Sequence, residues 1–163
     1  MDADEVIQPK APNPEADKNV RAFLKLIRWA EYYPNGGLSD SDYFLQYGNN
    51  RLTDLSDHPR QKITKWGKTS TAAGAYGITE ETWDQFKKKL KLEDFKGPSQ
   101  DQVAIALIRE VKALALIRQG KIEEAIPKLT NRWSSLPGAA QARKEVTMES
   151  ARKQFQIFKE KEQ

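Results

Sequence analysis

The sequence predicts an α+β protein, predominantly helical, with one small antiparallel sheet or hairpin inserted after the first helix. Three stretches carry that prediction. Val20, Phe23, Leu24 and Ile27 recur at the spacing of one helical face. Alternating and aromatic residues flank Gly48-Asn49-Asn50, which is a hairpin signal. "VAIALIREVKALALI", Val103 to Ile117, is apolar on nearly every side, as a helix in the middle of a domain is.

The elements follow in order. The chain opens "MDADEVIQPKAPNPEADK", with three prolines, five acids and no apolar stretch, so residues 1–16 read as a flexible lead-in and not as a secretory signal. The first helix begins near Pro14 to Asp17 and runs to about Tyr33; Pro34 stops it and Asn35-Gly36-Gly37 turns the chain. After the hairpin, "QKITKWGKTS" adds a third short strand before a small-residue loop, Ser70 to Gly77. Thr79 caps a helix opened by Glu80 and Glu81, with Trp83, Phe86 and Leu90 as its apolar stripe. Gly97-Pro98 breaks the chain. Ser99 with Gln102 then resembles a capping box for the buried helix, which Gly120 ends. A short helix covers Ile122 to Leu129, "NRWSSLPGA" connects, and Ala139 to Lys159 forms the last helix, with Met148, Ala151, Phe155 and Phe158 inward.

Composition excludes several classes. The 163 residues suit one domain, and 38% hydrophobic with 31% charged residues marks a globular chain. No apolar run approaches the roughly 20 residues that span a bilayer, so no stable membrane insertion is expected. There is no cysteine and a single histidine, His58, so neither a thiolate nor a histidine-rich metal site can form. The net charge of +4 favours an acidic polymer as partner. The basic residues are scattered among 23 acids without an aromatic-interleaved stripe, which argues against nucleic acid. With one histidine and no cysteine, any acid–base chemistry must rest mainly on carboxylates.

One carboxylate breaks a pattern. Eleven residues on from Val20, Glu31 returns to within about 20° of the apolar stripe of the first helix. Burial disfavours its charge, and so does the negative end of the helix dipole, so its pKa is expected to rise. That suits a general acid for a glycosidic oxygen. The competing expectation is a helix-end glutamate that turns to water or pairs with Lys25 or Arg28.

The order of motifs extends the case. A helix ending in Glu, a small sheet and a helical lobe around a buried helix resemble the lysozyme superfamily. "AFLKLIRWAE", "TDLSDHPR", "TAAGAYGIT" leading into "WDQFKKKL", "LEDF", "SQDQVAIALI" and "RWSSLPGA" resemble the lambda-type phage endolysins in sequence and order, from about Val20 to Lys159. The resemblance implies a lysozyme-like catalytic domain over 17–163 that cleaves peptidoglycan glycan strands as a monomeric lytic transglycosylase. It implies that Glu31 acts first as acid and then as base, and that the product is a 1,6-anhydro-muramic acid end. It places the site of action at the periplasmic cell wall. The protein would be made in a host cytoplasm without a signal, or exported if a signal has been removed.

Other residues divide between chemistry and structure. Asp54 is a candidate second carboxylate for a hydrolytic muramidase mechanism, whereas Asp57 is expected to hold a turn. His58 is expected to be a structural residue of that turn whose place in the shared motif shapes the lip of a substrate cleft. Tyr76 stacks on a sugar or packs in the core, with Gly74 and Gly77 allowing close backbone approach. Trp66 is a sugar platform or a plain sheet residue. Ser134, in the connector, is a further substrate-binding candidate. Lys87-Lys88-Lys89 forms a solvated face. The chain departs from the family in carrying Tyr32-Tyr33 where Gly-Thr often follows the catalytic Glu, and Gly77 where Gln often follows the loop Tyr. The second departure invites the alternative of a relative that binds peptidoglycan without cutting it.

Overall fold

In a computed structural model, residues 13–32 and 38–162 are described. In chain order the helices are α1 (Pro14–Tyr32), α2 (Glu80–Leu90), α3 (Gly97–Glu110), α4 (Leu114–Arg118), α5 (Ile122–Ala125) and α6 (Met148–Lys161). The strands are β1 (Leu45–Gln46), β2 (Asn50–Arg51), β3 (Ile63–Lys65) and β4 (Lys68–Ser70), and 3-10 turns cover Asp40–Phe44 and Ile126–Lys128. They form two compact units, one drawn from 1–37 and 107–163, the other from 38–106. Among the described residues no helix is long and apolar enough to cross a membrane.

In the first unit α1 packs against α6 and α4. Its core face carries Ala22, Phe23, Leu26, Ile27 and Ala30, all fully buried, against Ile117, Ala151, Phe155 and Phe158 from the helices around it. Asn13 caps α1, its Oδ1 accepting from the Ala16 backbone N–H at 3.1 Å. The helix thus begins at Pro14, within the expected start of Pro14 to Asp17, and Pro14 to Ala16 form its first turn with Ala16 buried. The rest of the expected lead-in, residues 1–12, lies outside the described residues, as does the expected turn Pro34 to Gly37.

Two helix boundaries differ from expectation. The apolar helix expected to continue to Ile117 stops at Glu110, because Lys112 takes a left-handed conformation, φ 62°. The Ala113 N–H then bonds to the Ile108 carbonyl and the Lys112 N–H to the Arg109 carbonyl, a Schellman closure built on lysine instead of glycine. Lys91 (φ 55°) closes α2 the same way, and Gly120 (φ 78°) closes α4. The last helix starts at Met148 and not near Ala139. Thr147 and Ser150 form its capping box, and residues 139–146 run in turns.

The second unit holds two two-stranded sheets where one was expected: β1 pairs with β2 and β3 with β4, both antiparallel. Single bridges from Gln46 to Ala73 and from Ala73 to Ile78 join the first hairpin to the small-residue loop. Below them lie Trp83, Phe86 and Phe95, essentially inaccessible, with Trp83 and Phe95 edge-to-face at 4.9 Å. Helix α3 begins at Gly97, so Ser99 lies inside it and donates to Asp94 Oδ1 instead of forming the expected capping box.

Gln100 holds this unit together. It is fully buried; its Oε1 accepts from the Ala75 N–H at 2.9 Å, and its Nε2 donates to the carbonyls of Phe95 (2.7 Å) and Tyr43 (3.0 Å). A Cβ at Gly74 would lie 2.3 Å from that Oε1, so only glycine lets the loop approach. Replacing Gln100 by Leu strands one backbone donor and two carbonyls at once. The change is expected to lower the unfolding free energy by about 3 kcal/mol or more, measured by urea denaturation. A loss under about 1 kcal/mol would mean that Gln100 is not the clamp.

Candidate functional site

Glu31 lies in the last turn of α1, half-buried, one residue after the fully buried Ala30. The two cations that could have neutralised it are otherwise placed. Lys25 bonds to Glu162, and Arg28 is buried. Instead the Ser135 hydroxyl donates to Glu31 Oε1 at 2.8 Å. Ser135 is fixed between two buried anchors of the connector, Trp133 and Leu136, whose turn is closed by the Leu136 N–H on the Trp133 carbonyl.

Arg143 completes the arrangement. Its guanidinium donates to the carbonyls of Ala30 (3.1 Å) and Glu31 (3.0 Å), satisfying two of the acceptors that a helix end leaves open. This use of Arg143 explains why residues 139–146 are not helical despite good helix formers. Desolvation raises the Glu31 pKa above the usual glutamate range, and the Ser135 hydrogen bond and the Arg143 charge pull it back only in part. Neither Ser135 nor Arg143 was singled out from sequence. Ser135 lies in the quoted "RWSSLPGA" motif, whereas nothing in the sequence marks Arg143.

Ser134, the neighbour chosen from sequence, is exposed and its hydroxyl donates to Gln141 Oε1 at 3.2 Å. It does not meet Glu31; Ser135 does.

The remaining candidates belong to the second unit. Asp54, Asp57 and His58, with Gln46, Arg51 and Gln61, line a polar groove of about 350 Å³. Asp54 is exposed, and its carboxylate accepts from the Ser56 N–H (2.8 Å) and hydroxyl (3.1 Å). These bonds hold its pKa below the ordinary aspartate value, so it is ionised at neutral pH. Asp57 takes hydrogen bonds from Trp83 Nε1 (2.8 Å), Lys87 (3.2 Å) and Arg60 (3.3 Å). Partial burial opposes its ionisation, but these bonds, with one from the His58 backbone, bring its pKa down to about 2. Asp57 therefore ties the turn to α2, and Lys87 is a partner in that tie and not only solvated surface.

His58 is buried, with Nε2 2.8 Å from the Ile78 carbonyl and Nδ1 accepting from the Arg60 N–H at 2.9 Å. Burial lowers its pKa, and the pairing fixes the neutral Nε2–H tautomer. Tyr76 is also buried; its hydroxyl donates to Asp101 Oδ1 at 2.6 Å, the same oxygen that accepts from Tyr43 at 2.9 Å. Core packing, the competing expectation for Tyr76, describes this position. Gly77 is exposed at φ 59°, with open space around it, and closes the turn between Ala73 and Ile78. Among the described residues no cluster of His, Asp or Glu could hold a metal.

The fold has counterparts among known proteins. The structure is similar to bacteriophage lambda lysozyme complexed with a chitohexasaccharide, with a TM-score of 0.78, 35% identity, and coverage of 92% of this chain and 97% of that one. A second structure of lysozyme from bacteriophage lambda matches with a TM-score of 0.77 and 33% identity over the same shares of each chain. The fold is therefore a lysozyme-like α+β fold. In sequence the chain is 41% identical to the endolysin of Escherichia phage lambda over 128 residues, 77% of this chain and 81% of that protein. It is 37% identical to the endolysin of Escherichia phage P2 over 144 residues, 81% and 87% of the two chains. The family profile described as Endolysin matches residues 21–160. The chain belongs to the endolysin family, enzymes that degrade the peptidoglycan of the cell wall.

The raised pKa has a consequence for stability. The folded state holds the Glu31 proton more tightly than the unfolded chain, so stability falls as pH rises from the unfolded pKa, about 4.3, through the folded one. Glu31→Gln is expected to melt higher than the parent at pH 7, with the two converging near pH 4. Equal melting at both pH values would show that the carboxylate is not penalised by its surroundings.

Proposed function

We propose that this chain is a lytic transglycosylase in which Glu31 is the sole general acid and base. One observation carries the reading: a carboxyl disfavoured as an anion, at a helix end, with Oε1 already accepting from Ser135. The proton then belongs on Oε2. Oε2 gives it to the oxygen linking N-acetylmuramic acid to N-acetylglucosamine, and the bond from that oxygen to the muramic C1 breaks through an oxocarbenium-like state. The carboxylate left behind is held by Ser135 and by the positive field of Arg143. It takes the proton of the muramic C6 hydroxyl, whose oxygen closes on C1. Water takes no part, and the carboxyl ends as it began.

We read Ser135 as the group that orients the carboxyl and Arg143 as the group that stabilises its brief anionic state. Asp54 supports a competing hydrolytic route. It is ionised, as a stabiliser of an oxocarbenium-like centre must be, and it lines a groove, although both its oxygens are engaged by Ser56. The chitohexasaccharide in the related lysozyme structure supports a glycan strand as the ligand here, with the wall as the place of action.

Digestion of purified peptidoglycan followed by mass analysis separates these routes. Transglycosylation yields muropeptides lacking the mass of one water, and Glu31→Gln abolishes their formation by at least about a thousandfold. Products with ordinary reducing ends would establish hydrolysis. No release by the unaltered chain, with binding retained, would establish a glycan-binding relative.

A further inference from the structure

The turn joining β3 to β4 breaks a rule. Its two central residues, Trp66 (φ 55°) and Gly67 (φ 73°), are both left-handed, the type I′ geometry that favours Asn-Gly or Asp-Gly. A tryptophan in that backbone region is strained. Burial does little to offset the strain, since Trp66 is 67% exposed. Yet its surroundings hold it still. The Tyr47 hydroxyl lies 2.7 Å from the Lys65 carbonyl and 3.0 Å from that of Lys68, donating between the two residues that flank the turn. The Tyr47 ring meets the indole edge-on at 5.7 Å, the Lys65 ammonium bonds to the Gly48 carbonyl at 2.8 Å, and the Thr64 and Thr69 hydroxyls pair across the strands.

The charge around the indole is one-sided. From His58 to Thr79 the sequence carries Arg60, Lys62, Lys65 and Lys68 and no acid. Lys62, Lys65 and Lys68 are exposed beside the aromatic tip, and Lys65 Nζ lies 5.1 Å from the indole centroid.

We propose that Trp66 is a preformed platform for a sugar ring of a peptidoglycan strand, with Lys62 and Lys68 pairing to carboxylates of its stem peptides. The negative face of an indole attracts the C–H face of a pyranose, and a fixed ring gives up little freedom on binding. The neighbouring cations select a glycan that carries carboxylates over an uncharged one. A membrane surface fits less well, because among the described residues of this unit Trp66 is the only exposed large hydrophobic side chain, and a single ring makes a weak anchor. The proposal rests on the reading of the chain as a wall-binding protein but not on Glu31 chemistry.

The test compares Trp66→Asn with Trp66, both in a Glu31→Gln background that leaves the wall uncut. Co-sedimentation is measured with purified sacculi and, separately, with vesicles of phosphatidylglycerol and phosphatidylethanolamine. Asparagine suits the turn, so melting should be unchanged or higher while the dissociation constant for sacculi rises about five- to tenfold. Added salt should weaken the parent's binding to sacculi, and replacing Lys62 and Lys68 by Gln should remove most of that salt dependence; an unchanged salt dependence would overturn their pairing with stem carboxylates. Unchanged sacculus binding by Trp66→Asn, or a loss confined to vesicles, overturns the platform. If Trp66→Asn binds weakly yet the Glu31 protein releases no muropeptides, the platform stands and the catalytic reading falls.

Discussion

The burial of one carboxyl at the end of a helix sets the terms for the rest of this structure. A glutamate in the last turn of α1 faces desolvation on one side and the negative pole of the helix on the other. The protein does not cancel that penalty with a cation on the carboxylate, which would lower the pKa and remove the proton. It supplies a neutral donor, Ser135, to one oxygen and directs the Arg143 guanidinium to the backbone carbonyls of the same turn. This arrangement favours the neutral carboxyl over the anion, while some positive potential remains near the turn.

That solution shapes the chain after α5. The connector must deliver a serine to Glu31, so Trp133 and Leu136 are sunk in the core on either side of it. Residues 139–146 must deliver an arginine to the end of α1, so they forgo helix formation until Thr147. In the second unit, buried polar groups play the corresponding part. Gln100 fixes the small-residue loop through three backbone groups, and His58 fixes its exit through the Ile78 carbonyl. Fully paired polar groups of this kind make a loop rigid without lengthening its strands.

Much of this was legible in the sequence, for local reasons. The stripe on α1, the Thr79 cap and the glycine end of α4 act through neighbours in the chain, and periodicity reveals them. The early end of α3 was hidden because Lys112 adopts a backbone conformation usually left to glycine, and nothing in its side chain announces that. The late start of α6 was hidden because a tertiary bond from Arg143 overrides helix propensity. At the site, Glu31 was visible as a polar break in an apolar stripe. Ser134 and Ser135 are chemically identical in sequence, and only the turn geometry between Trp133 and Leu136 decides which of them reaches the carboxyl. For Tyr76 the sequence left sugar and core both open, since its burial and its bond to Asp101, twenty-five residues on, depend on packing that no local pattern shows.

The most direct measurement is the titration of Glu31 itself, followed by NMR through a carbon-13 label on its side-chain carboxyl in the otherwise unaltered protein. A midpoint above that of an exposed glutamate, and higher still in Ser135→Ala and Arg143→Gln, follows from a carboxyl poor in water and only partly compensated. A midpoint at or below the ordinary value would mean that Glu31 is already an anion at rest, with no proton to give.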